Sequence, residues 1–395
     1  MPDSHSTLGA ARALIDADDE QLLATQVAIC GIAAPTGAEF ARGEFMAHAF
    51  QRLGLTDVHA DAVGNVLGTR RGLADVTPVV LCSHLDTVFA ESTPLGVTRQ
   101  GNRFEGPGIV DNARGLAAML SLATILQRTA HAHYRPILFA ATVGEEGAGD
   151  LRGARHLFPG FDRAPAACVA LDGAGDDRIV NTALGARRLR IDFSGPGGHS
   201  WSGFGMANPI HAAGLVVARI HGVKLPASPK STLSVCRIGG GTSINSIPED
   251  AWIEVDLRSS VTTVIRRLEA EVRAIAHACV ADINATRMRG SDELTTRVTV
   301  IGDRPSGRTE PEHPLVRHAI AATESIGREA NLVTSSTDAN VPMSLGIPAI
   351  AIGAGGRGGG THTTGEWYEN TEGPAGVYRA LTILAGAAEL RDAPG

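Results

Sequence analysis

The stretch LCSHLDTV, residues 81–88, decides the reading of this chain. Before it, Thr77-Pro-Val-Val-Leu-Cys is a short apolar run of strand type, ending in His84 and, two residues on, Asp86. Side chains at i and i+2 of an extended segment point the same way. His84 can therefore ligate a metal while Asp86 lies close enough to steady the imidazole. A lone histidine and aspartate at this spacing more often mark a buried histidine bonded to a neighbour. The metal reading gains weight because acids and another histidine recur downstream at the ends of apolar strands.

Asp111 lies in GPGIVDNARG, ahead of the helix-like run LAAMLSLATIL. Glu145 and Glu146 follow the strand in ILFAATVGEEGAG, and Asp172 ends the strand in ACVALDGAG. Much later, His362 follows the glycine-rich loop in GAGGRGGGTHTTGEW. These residue types suit a pair of borderline-hard divalent ions. In a chain that alternates strand and helix, they would converge at the carboxyl edge of a sheet.

The order SHLDTV, GIVDN, GEEG, LDG, GGHS and GTHTTGEW resembles the co-catalytic dinuclear zinc metallopeptidases. That family includes tripeptide aminopeptidase, glutamate carboxypeptidase, acetylornithine deacetylase and succinyl-diaminopimelate desuccinylase. The resemblance runs from about the first helix to near the end of the chain, and it is the order of the motifs that makes it specific. It implies two divalent ions per chain, most simply Zn2+, with Co2+ or Mn2+ as workable substitutes. His84 and Asp172 would hold one ion, Glu146 and His362 the other, and Asp111 would bridge them. Glu145 matches the general base, Asp86 supports His84, and the peptide after Asp111 is expected to be cis. His199, in the glycine-rich SGPGGHSWSG, matches a histidine that reaches into the partner subunit's site to hold the carbonyl oxygen. Asn245 in GGTSINSIPEDA and Arg258 in VDLRS match substrate-binding positions, Arg258 being suited to a carboxylate. A homodimer built through an inserted lid follows from the same resemblance.

Composition is that of a soluble globular protein of 395 residues, long enough for two domains. A balance of 35 basic and 42 acidic residues argues against a nucleic-acid footprint. No apolar stretch has the roughly 18 residues a membrane span needs, and the opening MPDSHSTLGAARALIDADDE lacks the order of a secretory leader. Five widely spaced cysteines read as buried free thiols of a reducing compartment, so a cytoplasmic location is expected.

The fold expected is α/β: a catalytic domain with a mixed, largely parallel sheet between helices, and an inserted β-α-β-β-α-β lid. The boundaries read as 1–184 for the first part of the catalytic domain, 185–304 for the lid and 305–395 for the second part. DVHADAVGNVLGTRRG reads as a hairpin with Gly64 near its turn. Two motifs mislead. Residues 353–358 fit GxGxxG but are not followed by a helix-opening pattern, so no dinucleotide site is expected. Their glycines read instead as a close approach for substrate near His362. His131 and His133 read as exposed, not as ligands.

The family divides over substrate. Asp at position 172 is usual in aminopeptidase and dipeptidase relatives, where carboxypeptidases and deacylases usually carry Glu. SSTDANVPMSLGIP and GGGTHTTGEWYEN look most like the tripeptide-aminopeptidase branch. The expected function is amide-bond cleavage in short peptides with free termini. The alternatives are a carboxypeptidase or N-acyl-amino-acid amidohydrolase using the same metals and, remotely, an inactive binding or scaffold relative. Such a relative would have lost ligands or base, and all are present.

Overall fold

The computed structural model describes residues 5–129 and 131–392. The chain divides into two compact units, residues 1–183 with 307–395 and residues 184–306.

The first unit is built on a nine-stranded mixed sheet. At its centre Val79–His84 lies parallel to Ile137–Thr142 on one side and to Ala167–Leu171 on the other. Ala349–Ile352 continues the parallel set beyond Ala167–Leu171. The hairpin Thr56–Ala60 and Val66–Arg70 adds antiparallel strands at one edge, with Gly64 in its turn. The central strands read as unbroken apolar runs because both faces are covered. Val79 and Leu81 join a core with Leu116, Met119, Val316 and Leu381 from helices on one face. Val80 and Cys82 join Leu157, Val341 and Met343 on the other. Parallel alignment brings the carboxyl ends of three strands together, and those ends carry His84, the Glu145–Glu146 turn and Asp172.

A smaller antiparallel sheet of Arg357–Gly359, Trp367–Glu369, Arg103–Glu105 and Thr98–Gln100 sits in the same unit. It pairs Trp367 with Glu105, so the segments leading to Asp111 and away from His362 run side by side.

The second unit has a four-stranded antiparallel sheet, ordered Ser231–Gly240, Asp250–Ser259, Gly185–Ser194, Thr295–Arg304. Helices Pro209–His221 and Thr262–Thr286 cover one face. Strict alternation along Asp250–Ser259 sends Ala251, Ile253, Val255 and Leu257 into that core. The strand–helix order is the β-α-β-β-α-β of the sequence reading, with a short extra pairing of Gly198–His199 against Ser246–Ile247.

Some sequence expectations need correction. Cys30, Cys82, Cys168 and Cys279 are buried free thiols, but Cys236 is exposed. The register of its strand shifts between Val235 and Arg237, leaving Cys236 at a bulge on an edge strand. The glycines of residues 353–358 serve the protein's own packing. A Cβ on Gly353 would lie 2.2 Å from the carbonyl oxygen of Ala174, and one on Gly355 2.4 Å from that of Gly373. No helix follows, only the strand Arg357–Gly359. His131 and His133 form a short strand, and their side chains lie outside the described residues. No helix among the described residues is long and apolar enough to cross a membrane.

Candidate metal centre

His84 is the last residue of its strand and is 2 % exposed. Its Nδ1 lies 3.0 Å from the carbonyl oxygen of Asp86. That acceptor fixes Nδ1 as the protonated nitrogen and leaves Nε2 to ligate. Nε2 in turn lies 2.9 Å from Asp111 Oδ1 and 3.9 Å from Asp172 Oδ1. On the far side of Asp111, His362 Nε2 is 3.3 Å from Asp111 Oδ2 and 2.9 Å from Glu146 Oε1. His362 holds a left-handed backbone with φ 66°, an unusual state for a residue with a side chain.

The donor atoms form two groups, His84–Asp111–Asp172 and Asp111–Glu146–His362, each within 4.8 Å internally. Asp111 belongs to both. A third group of His84, Glu145 and Glu146 places Glu145 beside these donors but outside the Asp111-centred sets.

The charges in this donor set act strongly on one another. Burial works against charge on His84, yet Asp111 and Asp86 outweigh it and hold its imidazolium well above the usual histidine range. Hydrogen bonding to Asp111 pushes His362 up to about 9. Burial, with the Asp111 charge behind it, pushes the Asp172 carboxyl up to about 7. Burial also raises Glu146. Asp111 itself is held below the usual range, because His362 and His84 outweigh its burial. Although His84 is close, the buried Oδ1 of Asp111 makes no aligned hydrogen bond. Crowded acids and imidazoles, with an orphaned oxygen at the shared residue, are satisfied by cations between the donors. The oxygen and imidazole set fits divalent ions.

The supporting residues are mostly backbone anchors. Asp86 is fully buried, and its Oδ1 and Oδ2 accept from the N–H groups of Glu145 and Glu146, both at 2.9 Å. Its carboxylate is 3.6 Å from His84 Nδ1, so the contact that steadies the imidazole comes chiefly from the Asp86 carbonyl. Thr36 donates to the same carboxylate at 2.8 Å. Glu39 accepts from the Gly144 N–H at 3.0 Å and pairs with Arg152. The Asp111–Asn112 peptide is cis. Asn112 caps helix Ala113–Arg128 by accepting from Gly115, and its amide donates to Ser83 Oγ and to the Leu171 carbonyl. From the sequence Asn112 reads only as the non-ligand residue after the cis peptide, and Glu39 carries no signal; their types and spacing have no metal signature, and only the folded neighbourhood gives them work.

In the second unit, His199 and Asn245 come together. Gly198–His199 pairs with Ser246–Ile247, and the Ser200 N–H donates to the Asn245 carbonyl at 2.9 Å. Arg258 is not with them. It lies eight residues beyond Asp250 on its strand, roughly 26 Å at about 3.3 Å per residue. Its Nε donates to Asp256 at 2.7 Å.

Residues 80–389 match the model described as Peptidase family M20/M25/M40. The chain belongs to this peptidase family. It is a hydrolase acting on amide bonds. A putative succinyl-diaminopimelate desuccinylase DapE of Mycobacterium tuberculosis is 26 % identical over 298 residues, 74 % of this chain and 78 % of that protein. A tripeptidase from Staphylococcus aureus superposes with a TM-score of 0.76 at 22 % identity, covering 94 % of this chain and 99 % of that one. A Bacillus subtilis protein described as a dinuclear metal binding peptidase from the M20 family gives 0.68 at 16 % identity, covering 95 % and 100 %. At these identities the two solved structures speak for the M20 fold alone.

Proposed function

We propose that this M20 chain is a two-metal exopeptidase that cleaves short peptides with free termini, in the manner of a di- or tripeptide aminopeptidase. The observation that carries the two-metal reading is Asp111, whose carboxylate belongs to both ligand groups. His84 and Asp172 would hold one ion, Glu146 and His362 the other. When bound, two such ions, most simply Zn2+, supply positive charge that polarises the substrate carbonyl and acidifies a water.

Glu145 accepts a proton from the attacking water as its oxygen bonds to the carbonyl carbon. It then delivers that proton to the departing nitrogen, the C–N bond breaks, and a carboxylate and an amine leave. Glu145 is buried, and its N–H is tied to Asp86, so its carboxylate starts from a fixed backbone. His199 holds the carbonyl oxygen of a site in the partner subunit. Asn245, held beside His199, orients the substrate; Arg258 is assigned its carboxylate on the family resemblance alone, since it lies remote from that pair and its Nε is bonded to Asp256. The lid supports dimerisation with an unpaired outer edge on Ser231–Gly240 and with exposed Trp201, Phe204, Ile238 and Ile244. The buried free thiols support a cytoplasmic location.

Asp172 rather than Glu favours the aminopeptidase side. The likeness to a desuccinylase favours a second reading, an N-acyl-amino-acid amidohydrolase on the same metals. Hydrolysis of a matched set of free, N-acylated and C-amidated di- and tripeptides separates them. The aminopeptidase reading expects cleavage of free and C-amidated peptides. Activity confined to N-acylated substrates overturns it in favour of the second. Elemental analysis of an active, metal-saturated sample should give two ions per chain; one or none removes the two-metal reading.

A further inference from the structure

Glu366 lies four residues past His362, and neither the ligand set nor the base uses it. It is fully buried, and among the described residues no basic side chain pairs with it. Its acceptor sites are filled by main chain instead. Oε1 takes the N–H groups of Val110 at 2.7 Å and Asp111 at 2.8 Å, and Oε2 takes Gly108 at 3.3 Å. Its own carbonyl accepts from Gly106 at 2.9 Å, and its N–H reaches the Thr363 carbonyl. The carbonyls of the same turn are also engaged, Ile109 by Gln26 and Pro107 by Cys30. One buried carboxylate thus ties the turn that presents Asp111 to the segment that presents His362. Burying an unpaired carboxylate is costly, and nothing in the packing of an apolar core asks for one here.

We propose that Glu366 is a positioning residue that fixes the shared carboxylate of Asp111 relative to His362 and so sets the affinity for the metal pair. The role rests on the two-metal reading and acts through hydrogen bonds to the Asp111 turn. Loss of such an outer partner typically costs about 10–100-fold in metal affinity or activity.

The test titrates metal-free wild type, Glu366→Gln and Glu366→Ala with Co2+, reading affinity, stoichiometry and the visible absorption of the bound ion. Far-UV circular dichroism and thermal unfolding of the metal-free chains run alongside. The Ala variant is expected to keep a cooperative fold, bind Co2+ about 10–100-fold more weakly and show altered absorption bands. With metal restored to saturation, its kcat should fall while KM changes little. The Gln variant keeps an amide oxygen for the two short bonds and should lose less on every readout. A folded Ala variant with wild-type affinity and bands overturns the proposal. If the Ala variant does not fold, a Gln variant with wild-type affinity and bands overturns it. Equal losses in Gln and Ala overturn the hydrogen-bond role. A wild-type chain that takes up no pair of Co2+ removes the two-metal reading, and this inference falls with it.

Discussion

Glu145 and Glu146 are adjacent, and their backbones share one acceptor, Asp86, yet their side chains part company. Glu146 meets His362 and belongs to an Asp111 group; Glu145 does not. Glu145→Gln should therefore keep metal content near wild type and lose about 10²–10⁴-fold in turnover, whereas Glu146→Gln should lower metal occupancy. Metal analysis and steady-state rates on both variants check this, and metal lost from the first but kept by the second would exchange the two roles. Protonation gives a second prediction. In the metal-free protein Asp172 and Glu366 are raised to about 7 by burial, and His362 to about 9 by its bond to Asp111. All three keep a proton in the folded state that the unfolded chain would release, so their contribution is lost as pH rises through those values. The metal-free protein should lose melting temperature from pH 6 to pH 9.5. The metal-loaded protein should show a smaller loss, since Asp172 and His362 are then already deprotonated, whereas Glu366 is no ligand and keeps its contribution. Parallel melting curves would sink the idea.

At the scale of elements, the helix Ala113–Arg128 is where the three segments that carry His84, Asp111 and Asp172 meet. Its cap, Asn112, bonds at once to Ser83 beside His84, to Leu171 beside Asp172, and to the N–H of Gly173. Gly115 in the first turn leaves room for this; a Cβ there would stand 2.3 Å from Asn112 Oδ1. Asn112→Ala should strand buried partners at about 1–3 kcal/mol for each unsatisfied group, read as a lower midpoint in urea with an unchanged slope. A midpoint within error of wild type would show that water replaces these bonds. The contrast with His84, Asp111 and Asp172 explains what could be read in advance. His84 ends an apolar strand and Asp172 directly follows one, and strand periodicity with a chemically distinctive side chain at its end is visible in one dimension; Asp111 lies in a turn ahead of its helix and was legible only from its place in the order of motifs. Asn112, Glu39 and Glu366 act by accepting or donating to main chain far away in sequence, and no local pattern encodes which N–H will arrive. Cys236 departs from the expected buried thiol for a related reason: a bulge shifts the alternation by one residue, and a bulge leaves no mark in an otherwise regular strand.

At the scale of the whole molecule, the exposed lid residues and the pairing of His199 with the Asn245 loop make a prediction about mixed subunits. A His199→Ala chain and a Glu145→Gln chain should each be nearly inactive. Mixed and allowed to exchange, their heterodimers should regain at most about half the wild-type activity, because one of two symmetric sites is whole. Proven heterodimers without recovery would show that His199 does not serve the partner. Metal removal should act on the same scale. Ions that bind only the folded state stabilise it by about 2.7 kcal/mol at a hundred times their Kd, so chelation should lower the melting temperature and readdition restore it, by calorimetry.

Strand Ala349–Ile352 lies inside the large sheet, between Ala167–Leu171 and Arg178–Ala183. A ribosome delivers its two neighbours long before it delivers the strand that separates them. Until then the sheet has a slot at its middle, with strand edges exposed on both sides, while the intervening residues 184–306 already hold everything their own sheet needs. Nascent chains halted before residue 349 should therefore display a protease-resistant middle segment flanked by digestible ends, and only chains past His362 should retain a radioactive metal.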